Sequence, residues 1–520
     1  MSRCLVARSE RGGGNAFYQG NIGHTTSDNS RDFSHQRLTN GWARVGATVR
    51  GTDLTIQALG LAMPLAENPG ALTRTQFDTA PDMADPLSVR KKARKEVHQL
   101  QVGASARRAV QSGGELFAQA YGGTRTLFNP LTFAVVGVDR GQFGGGLRMT
   151  LPARLASLEH RISAGVDGQN QNDLRRNWAN CNAVATANAS CPSITVEKGV
   201  LQLDQREIVS SVGPYLRDEV TLAGGRASVS AGVRADVVRF TVRDRFLTDG
   251  RDDSGTRSLH AVSPMFGLVA RLSDRHAVYV DVASAFETPT TTELGNQPNG
   301  NAGLNRELDP QFSTTYETGV KGLAWSRLRY DAALFDIEVR DELIPYEVPG
   351  GAGRTYYRNA GRTRRQGLEL SGSTRVAFAE LSAAYTYSSF RFRSFLVDTA
   401  RYDGNQIPGI PRQQLQASVT LRAMRAYLTN ELIAKDKVFA NDANSASAPG
   451  FGIVNVRAGV VALLGRPWFS PVIGVQNAFD KRYVGSLAVN ATGASLAATK
   501  FYEPSPGRTW IFGLTVASGN

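Results

Sequence analysis

A short stretch beyond position 353 combines basic and aromatic side chains that suit an anionic, ring-containing ligand. It holds Arg354, Tyr356, Tyr357 and Arg358. Guanidinium groups form charge-assisted hydrogen bonds with carboxylates, and they also lie over aromatic faces. These four residues are the candidate ligand contacts, for a catecholate or carboxylate chelate. The alternative stays open, because tyrosines and basic residues also collect where a protein crosses a lipid interface.

Other kinds of chemistry have little support in the residue pattern. The glycine-rich run at 141–146 lacks the Lys-Ser/Thr that follows in a phosphate-binding loop. The sequence contains no nucleophile elbow and no acid/base pair with supporting context. The histidines show none of the paired spacing of metal sites; they are His24, His35, His98, His160, His260 and His276. We therefore expect no enzyme, no metal site and no cofactor.

Two of the three cysteines, Cys181 and Cys191, lie in a polar stretch that is typical of a surface loop. A disulfide between them would fit an oxidising compartment outside the inner membrane. Two unrelated free thiols are the alternative, and Cys4 is left over. The pair is the disulfide candidate.

The formal net charge of +13 is unusually basic. A charged concave surface could attract an anionic ligand. Because the charge is spread along the chain, we favour basic residues at the rims of a membrane protein, facing anionic headgroups. The short tract Lys91, Lys92, Arg94 and Lys95 has no accompanying aromatic binding module, so nucleic acid is not an expected partner.

The elements that would position these residues are strands, because apolar residues recur with a period of two. From 229 to 237 every odd position is Val or Ala, and the partners include Arg234 and Asp236. Soluble sandwiches also alternate, but long segments with charged residues in mid-strand favour a barrel with lipid outside and water inside. No segment approaches the ~20 apolar residues of a spanning helix.

Short connections alternate with long polar loops along the chain. The short ones are 50–53, 223–225, 272–275 and 422–425; the long ones are 62–95, 169–199, 246–257, 287–307, 394–406 and 487–506. Short turns on one side and long loops on the other are typical of outer-membrane barrels. The sequence predicts an all-β transmembrane antiparallel barrel of roughly 20–22 strands.

The barrel pattern begins near Asn15. We expect a poorly structured segment at 1–14 and a single barrel domain at 15–520. No apolar core of about 7–15 residues follows the N-terminus, so no secretory signal is recognised in this chain.

Several segments in the second half, over 286–516, resemble the barrel of TonB-dependent receptors and follow one another in that family's order. They are AFETP at 285–289, LDPQ at 308–311, YETGVK at 316–321, NAG at 359–361, GLEL at 367–370, PGIPR at 408–412, QNAFDKRY at 476–483 and PGR at 506–508. Each piece alone is weak, whereas their shared order is specific. The first half resembles the family only in general character.

The residues that carry this resemblance are expected to have structural roles. They are Pro310, Glu317, Gly319, Lys321, Asn359, Gly361, Gly367, Glu369, Asn477, Phe479, Asp480, Tyr483, Gly507 and Arg508. Gly361 and Gly367 would relieve crowding in a curved strand. Glu317 and Glu369 are expected to face the lumen.

The resemblance implies an outer-membrane receptor that takes up a scarce, bulky nutrient, most often a ferric siderophore. Its partners would be outer-membrane lipid, a large anionic ligand and, given a plug domain and a coupling box, the TonB complex. The chain departs from the family because the sequence has no recognisable plug or coupling box. A passive pore and a non-functional receptor fragment are the alternatives.

Overall fold

The structure is a computed structural model in which residues 3–110, 113–295, 297, 303–348, 355–397, 399–462 and 469–516 are described. Strands dominate. They are β1 (Arg3–Gly13), β2 (Ala16–Asp28), β3 (His35–Val49), β4 (Thr52–Glu67), β5 (Arg94–Val110), β6 (Gly114–Pro130), β7 (Ala134–Leu155), β8 (Leu158–Asn180), β9 (Lys198–Leu222), β10 (Ala227–Asp244), β11 (Gly255–Ser273), β12 (His276–Glu287), β13 (Gln311–Ala324), β14 (Leu328–Glu347), β15 (Thr355–Val376), β16 (Ala379–Ser394), β17 (Leu396–Val397), β18 (Ala400–Arg401), β19 (Gln413–Ala423), β20 (Ala426–Lys435), β21 (Val438–Phe439), β22 (Ser447–Ala448), β23 (Phe451–Val460), β24 (Phe469–Gln476), β25 (Val484–Leu487), β26 (Tyr502–Pro504) and β27 (Thr509–Val516). The short helices are α1 (Arg74–Thr79), α2 (Pro86–Arg90) and α3 (Thr291–Gly295).

One antiparallel sheet of 21 strands forms the wall. Each of its strands pairs with the next one along the chain, from β1 with β2 to β24 with β27. The other six strands form three small hairpins within the loops: β17 with β18, β21 with β22, and β25 with β26. Loops from opposite ends of the sheet meet, since Leu72 and Tyr502 exchange two backbone hydrogen bonds. The sheet is therefore curled round on itself.

The connections alternate in length, as the sequence predicted. Tight turns follow β1, β3, β7, β11, β15 and β19, while long loops follow β4, β8, β12, β16, β20 and β24. Two loops are shorter than expected, because β8 continues to Asn180 and β4 to Glu67. In β8 the hydrogen-bond ladder continues through polar side chains that the hydropathy pattern assigned to a loop, whereas the added part of β4, at 62–67, is mostly apolar.

The two faces of the wall differ as the alternation predicted. On β10, Val233 and Val237 are 45% and 40% exposed on the outside. Arg234 faces the lumen and makes ion pairs of 2.9 Å with both Asp167 and Asp236. Apolar side chains thus cover the outer face, and mid-strand charges neutralise one another inside.

Aromatic side chains in the wall lie over glycines that are directly opposite them on the next strand. Among the described residues, such pairs are Phe17–Gly46, Tyr121–Gly144, Tyr215–Gly165, Tyr279–Gly319, Phe335–Gly367 and Tyr427–Gly459. A Cβ atom built on Gly319 would lie 2.5 Å from the Tyr279 ring. These glycines are needed for space, and the aromatic rings cover the gap that a glycine leaves in a sheet.

The expected poorly structured segment at 1–14 is wrong for residues 3–13. They form β1, which pairs with β2 from Arg3 opposite Thr26 to Gly13 opposite Ala16. Gly14, with a φ of 61°, and Asn15 supply the two-residue turn between these strands. Such a turn is a hairpin signal in its own right, because glycine adopts a positive φ without strain.

Within the described residues, no helix is both long enough and apolar enough to cross a membrane.

Candidate binding site at the outer mouth

Strands β14 and β15 carry an arginine–aromatic cluster at their long-loop ends. Tyr346 lies opposite Tyr356 in the ladder, and their ring centroids are 6.0 Å apart. Arg358 shares the face of Tyr356, because side chains on one face of a strand are two residues apart. Its guanidinium carbon lies 4.2 Å from the ring centroid of Tyr346 and 5.5 Å from that of Phe395. The cluster holds a cation between aromatic faces.

The polar contacts of Arg358 are incomplete. Its Nη2 atom is 4.0 Å from Oδ2 of Asp442, at the outer limit of an ion pair. Its Nε atom is buried and has no hydrogen-bond partner among the described residues. Buried polar atoms usually have partners in folded proteins. The Nε–H of Arg358 is therefore a donor without an acceptor among the described residues.

A buried carboxylate supports the cluster from the lumen side. Glu342 is 5% exposed, and it accepts hydrogen bonds from the Thr363 hydroxyl and from Nη2 of Arg365, the latter at 2.7 Å. Ala360, Ile344 and the Phe392 ring pack around the same point. This packing fixes β14 relative to β15 and thereby the position of Arg358.

Asp442, in the loop between β20 and β23, joins the cluster to another part of the mouth. Burial raises the pKa of its carboxyl above the ordinary value, although the hydrogen bond with Asn490 and the nearby charge of Arg358 oppose that shift. Nδ2 of Asn490 donates to Oδ1 of Asp442 at 3.1 Å, and the backbone N–H of Asp442 donates to Oδ1 of Asn490 at 2.9 Å.

Asn490 belongs to the long loop 477–508 between β24 and β27, which we call the strap. Nδ2 of Asn490 also donates to the Pro345 carbonyl at 2.9 Å. The Thr492 backbone N–H and hydroxyl donate to Oε2 of Glu347 at 3.1 and 3.3 Å. The middle of the strap is thus anchored to the end of β14.

The other end of the strap is anchored to the loop between β4 and β5. Nζ of Lys500 lies 2.6 Å from Oδ1 of Asp85. The rings of Tyr502 and Phe77 are 6.1 Å apart and share an apolar cluster with Phe501. Since β4 and β14 are about halfway round a sheet of 21 strands from each other, the strap crosses the mouth.

A second polar recess, of about 220 Å³, lies beneath the loops that follow β10 and β12. Nη1 of Arg175 donates to the Thr292 hydroxyl at 2.5 Å and is 3.7 Å from Oε1 of Glu207. Nε of Arg175 and Oδ1 of Asn177 are buried without hydrogen-bond partners among the described residues. This recess adds unsatisfied polar groups to the same end of the barrel.

The four predicted ligand contacts do not form one surface. Arg354 lies outside the described residues. Tyr356 and Arg358 face the same cluster, whereas Tyr357 projects from the other face of β15 and packs against Phe240, Leu294 and their neighbours. Alternation along an extended strand separates adjacent residues in this way.

Four residues in or beside the cluster were missed by sequence reasoning: Tyr346, Phe395, Asp442 and Asn490. Tyr346 could have been inferred from a hairpin register between β14 and β15. Asp442 and Asn490 carry no local signal, because their proximity to Arg358 depends on the path of two long loops.

The family-motif residues near the C-terminus close the base of the strap. Asn477 exchanges hydrogen bonds with Lys481, from the backbone N–H of Lys481 to Oδ1 and from Nδ2 to the Lys481 carbonyl. The backbone N–H of Arg508 donates to Oδ1 of Asp480 at 2.8 Å, and a Cβ on Gly507 would lie 2.8 Å from the same oxygen. These contacts join the start of the strap to its end.

Two aromatic residues of the same motif point in different directions. The Tyr483 ring packs on Phe451 with centroids 4.2 Å apart. Phe479 is 80% exposed. Tyr483 therefore contributes to packing within the protein, whereas Phe479 is available to the surroundings.

The earlier motif residues also make structural contacts. Asn359 donates through Nδ2 to the Asp309 carbonyl, and its Oδ1 accepts from the Asp309 backbone, which ties the Pro310 segment to β15. A Cβ on Gly367 would lie 2.6 Å from the Tyr387 carbonyl oxygen.

In the lumen, Glu317 accepts a hydrogen bond of 2.9 Å from the Tyr279 hydroxyl. Nζ of Lys321 lies 5.0 Å from the centroid of the same ring, which also covers Gly319. Glu369 is exposed on β15, and a Cβ on Gly361 would meet the Ser394 carbonyl oxygen.

Cys181 and Cys191 form a disulfide with Cα atoms 5.5 Å apart. Next to it, Glu197 makes bidentate contact with Arg94 at 2.7 and 2.9 Å. Although burial acts against ionisation, hydrogen bonds from Arg94 and Asn182 lower the pKa of Glu197 below the ordinary value. The disulfide closes part of this loop on itself, and the Arg94–Glu197 pair holds the loop to the start of β5.

Comparison with known proteins decides the family. The family described as TonB dependent receptor-like, beta-barrel matches residues 9–477. The chain belongs to the TonB-dependent receptor family. The prediction drawn from the motif order is confirmed, and members of this family are outer-membrane transport receptors, not enzymes.

Two relatives share moderate sequence identity with this TonB-dependent receptor barrel. The ferrioxamine receptor of Yersinia enterocolitica is 27% identical over 357 residues, which are 64% of this chain and 46% of the relative. The probable TonB-dependent siderophore receptor PiuA of Acinetobacter baumannii is 23% identical over 298 residues, 54% of this chain and 38% of the relative. The matched segments therefore span less than half of each relative.

Solved structures share the fold over nearly the whole chain. The siderophore receptor PiuA from Acinetobacter baumannii has a TM-score of 0.78 at 14% identity, with 99% of this chain and 79% of that chain covered. The copper transporter OprC has a TM-score of 0.76 at 18% identity, with coverage of 99% and 80%. The predicted antiparallel membrane barrel is confirmed.

Proposed function

We propose that this chain is the ligand-binding barrel of an outer-membrane receptor for a ferric siderophore, with the site at the outer mouth. The observation that carries the proposal is Arg358, a partly unsatisfied guanidinium between the rings of Tyr346 and Phe395. A ferric chelate is bulky and commonly carries carboxylate or catecholate oxygens. Arginine binds such oxygens with charge-assisted hydrogen bonds, and the rings suit stacking.

Two further observations support this proposal. Two relatives are named for siderophores, one of them for ferrioxamine. The strap and Asp442 partly cover the cluster, which limits water around Arg358 and strengthens its electrostatic contacts. Energised transport through the TonB complex is part of the proposal wherever a plug domain and coupling box accompany the barrel.

The experiment is a fluorescence titration of the purified, folded chain in neutral detergent. Ferric catecholate, ferric hydroxamate and ferric citrate are the probes. We expect saturable binding of one class, weakened about tenfold or more by Arg358→Ala, since buried arginines commonly dominate binding energy. The matched control is Arg364→Ala, on the same strand but paired with Asp336.

If Arg358→Ala binds the probe with the same affinity as the parent chain, the assignment of the site to Arg358 is wrong. Absence of saturable binding by all three probes would remove the siderophore proposal itself. An equal loss of affinity in Arg364→Ala would indicate that the ligand responds to the general surface charge and not to Arg358 itself.

A further inference from the structure

A basic patch lies on the outer surface of the wall, away from the mouth. Below it, the outward residues of β9 and β10 are apolar: Leu216 is 51% exposed and Val237 is 40% exposed. Further towards the long loops, the outward positions become Arg239 and Arg243 on β10 and Arg206 on β9, all of them exposed. Their place above the apolar band corresponds to the headgroup level of the outer leaflet.

The strand register places like charges directly opposite one another. Arg243 is the cross-strand partner of Arg206, and Arg239 lies opposite Ser210 and Ser258. Directly opposite residues have Cα atoms about 4.5–5.5 Å apart, and like charges there are destabilising. Arg239 and Arg243 are four residues, and therefore about 13 Å, apart along the strand. The Arg206–Arg243 pair and Arg239 therefore form two basic points about 13 Å apart along the strand, which one headgroup with two separated phosphates could contact together.

Nearby carboxylates do not neutralise this triad. Among the described residues, Arg239 and Arg243 make no ion pair, and Nε of Arg206 donates to Oδ1 of Asn172 at 3.0 Å. Asp204 is shared by Arg176 and Arg245 at 3.5 and 3.9 Å. Asp244 accepts from the backbone N–H groups of the following loop.

Strands β14 and β15, five strands further along the sheet, provide a contrast. There, Arg340, Arg362 and Arg364 also form an outward group with a like-charge pair, Arg340 opposite Arg362. Asp336 binds Arg364, and Glu338 lies opposite it on the same face. Neighbouring carboxylates neutralise part of the positive charge of that group, whereas no carboxylate in the described part of the chain neutralises the Arg206–Arg239–Arg243 triad in the same way.

We propose that Arg206, Arg239 and Arg243 form a binding site for a lipid headgroup of the outer leaflet that carries two or more phosphates. Arginine matches phosphate with paired N–H donors, and it is the residue type suited to such recognition. The like-charge pair gains most from an anion with more than one phosphate, because a single phosphate leaves part of the triad uncompensated. The lipid chains would lie along the apolar band below.

The test is a binding titration of the purified chain in neutral detergent with three probes. They are lipopolysaccharide with two headgroup phosphates, phosphatidylglycerol, and inorganic pyrophosphate. We expect the tightest binding for lipopolysaccharide, weakened about tenfold in the triple variant Arg206→Gln, Arg239→Gln, Arg243→Gln because basic residues near a membrane surface attract anionic lipid. The matched control is the triple variant Arg340→Gln, Arg362→Gln, Arg364→Gln, with affinity close to that of the parent.

A second variant, with lysine at the same three positions, separates charge from misfolding. It should keep most of the lipid affinity. Only variants whose thermal stability equals that of the parent chain are compared. Equal losses in the triad and control variants would overturn the site. If pyrophosphate binds as tightly as lipopolysaccharide, the ligand is a soluble anion and the assignment of a lipid ligand is wrong.

Discussion

The wall and the mouth of this barrel are built from different kinds of contact. In the wall, each strand pairs with its neighbour in the chain, and a ring such as Phe335 covers a glycine directly opposite it. In the mouth, Asn490 binds Pro345, which is 145 positions away. The comparison teaches that wall stability follows from register between neighbours, whereas the mouth depends on contacts between loops that are far apart in the sequence.

The largest effect is expected in the wall, at Gly367. Gly367→Ala would place a Cβ against the Phe335 ring and 2.6 Å from the Tyr387 carbonyl oxygen. Overpacking of this kind costs about 1–3 kcal/mol of unfolding free energy. Urea unfolding in detergent measures it. Gly60→Ala is the control, because nothing lies within 4 Å of its added Cβ; equal losses in both variants would contradict the pairing argument.

A smaller and local effect is expected in the mouth, at Asn490. Asn490→Ala removes hydrogen bonds to Pro345 and Asp442. Each lost hydrogen bond contributes about 0.5–1.5 kcal/mol, and this loss favours local opening of the strap rather than unfolding of the wall. The rate of amide hydrogen exchange should rise in the strap and around Asp442, while the amides of the wall stay protected. Leu496→Ala, at a residue that is 53% exposed, is the control. Loss of protection throughout the wall would show that the two regions are one cooperative unit.

The smallest effects are expected from pH, with opposite signs at two loop carboxylates. The raised pKa of Asp442 means that its favourable contribution is complete below the ordinary value of 3.8 and is lost as the pH rises through the folded pKa. The lowered pKa of Glu197 means that its contribution is present above 4.5 and is lost as the pH falls through the folded pKa.

Local hydrogen exchange, corrected for intrinsic pH dependence, measures both effects. On acidification, the strap should become better protected and the loop 181–197 less protected. Asp442→Asn and Glu197→Gln should each abolish only the trend of their own loop. The same trend in both loops would contradict the opposite assignments.

The site was only partly predictable. Basic and aromatic composition indicated the segment with Tyr356 and Arg358. It could not separate Tyr357, which faces Phe240 and its neighbours, because composition does not show that adjacent residues of this segment point to opposite faces of a strand. The prediction for the 1–14 segment was wrong because it relied on a weak hydropathy pattern. The Gly14–Asn15 turn and eleven paired residues hold this segment in a hairpin.

The sequence by itself determined most of the wall: the alternation of its outer and inner faces, several of its tight turns, and that the sheet is antiparallel. These are properties of neighbours, since a period of two and a tight turn each need only a few residues. Only the tertiary structure decided the mouth, where Asp442, Asn490 and Arg358 meet. Long loops have many possible paths, and the one that they take is set by packing against parts of the chain that carry no local trace of it.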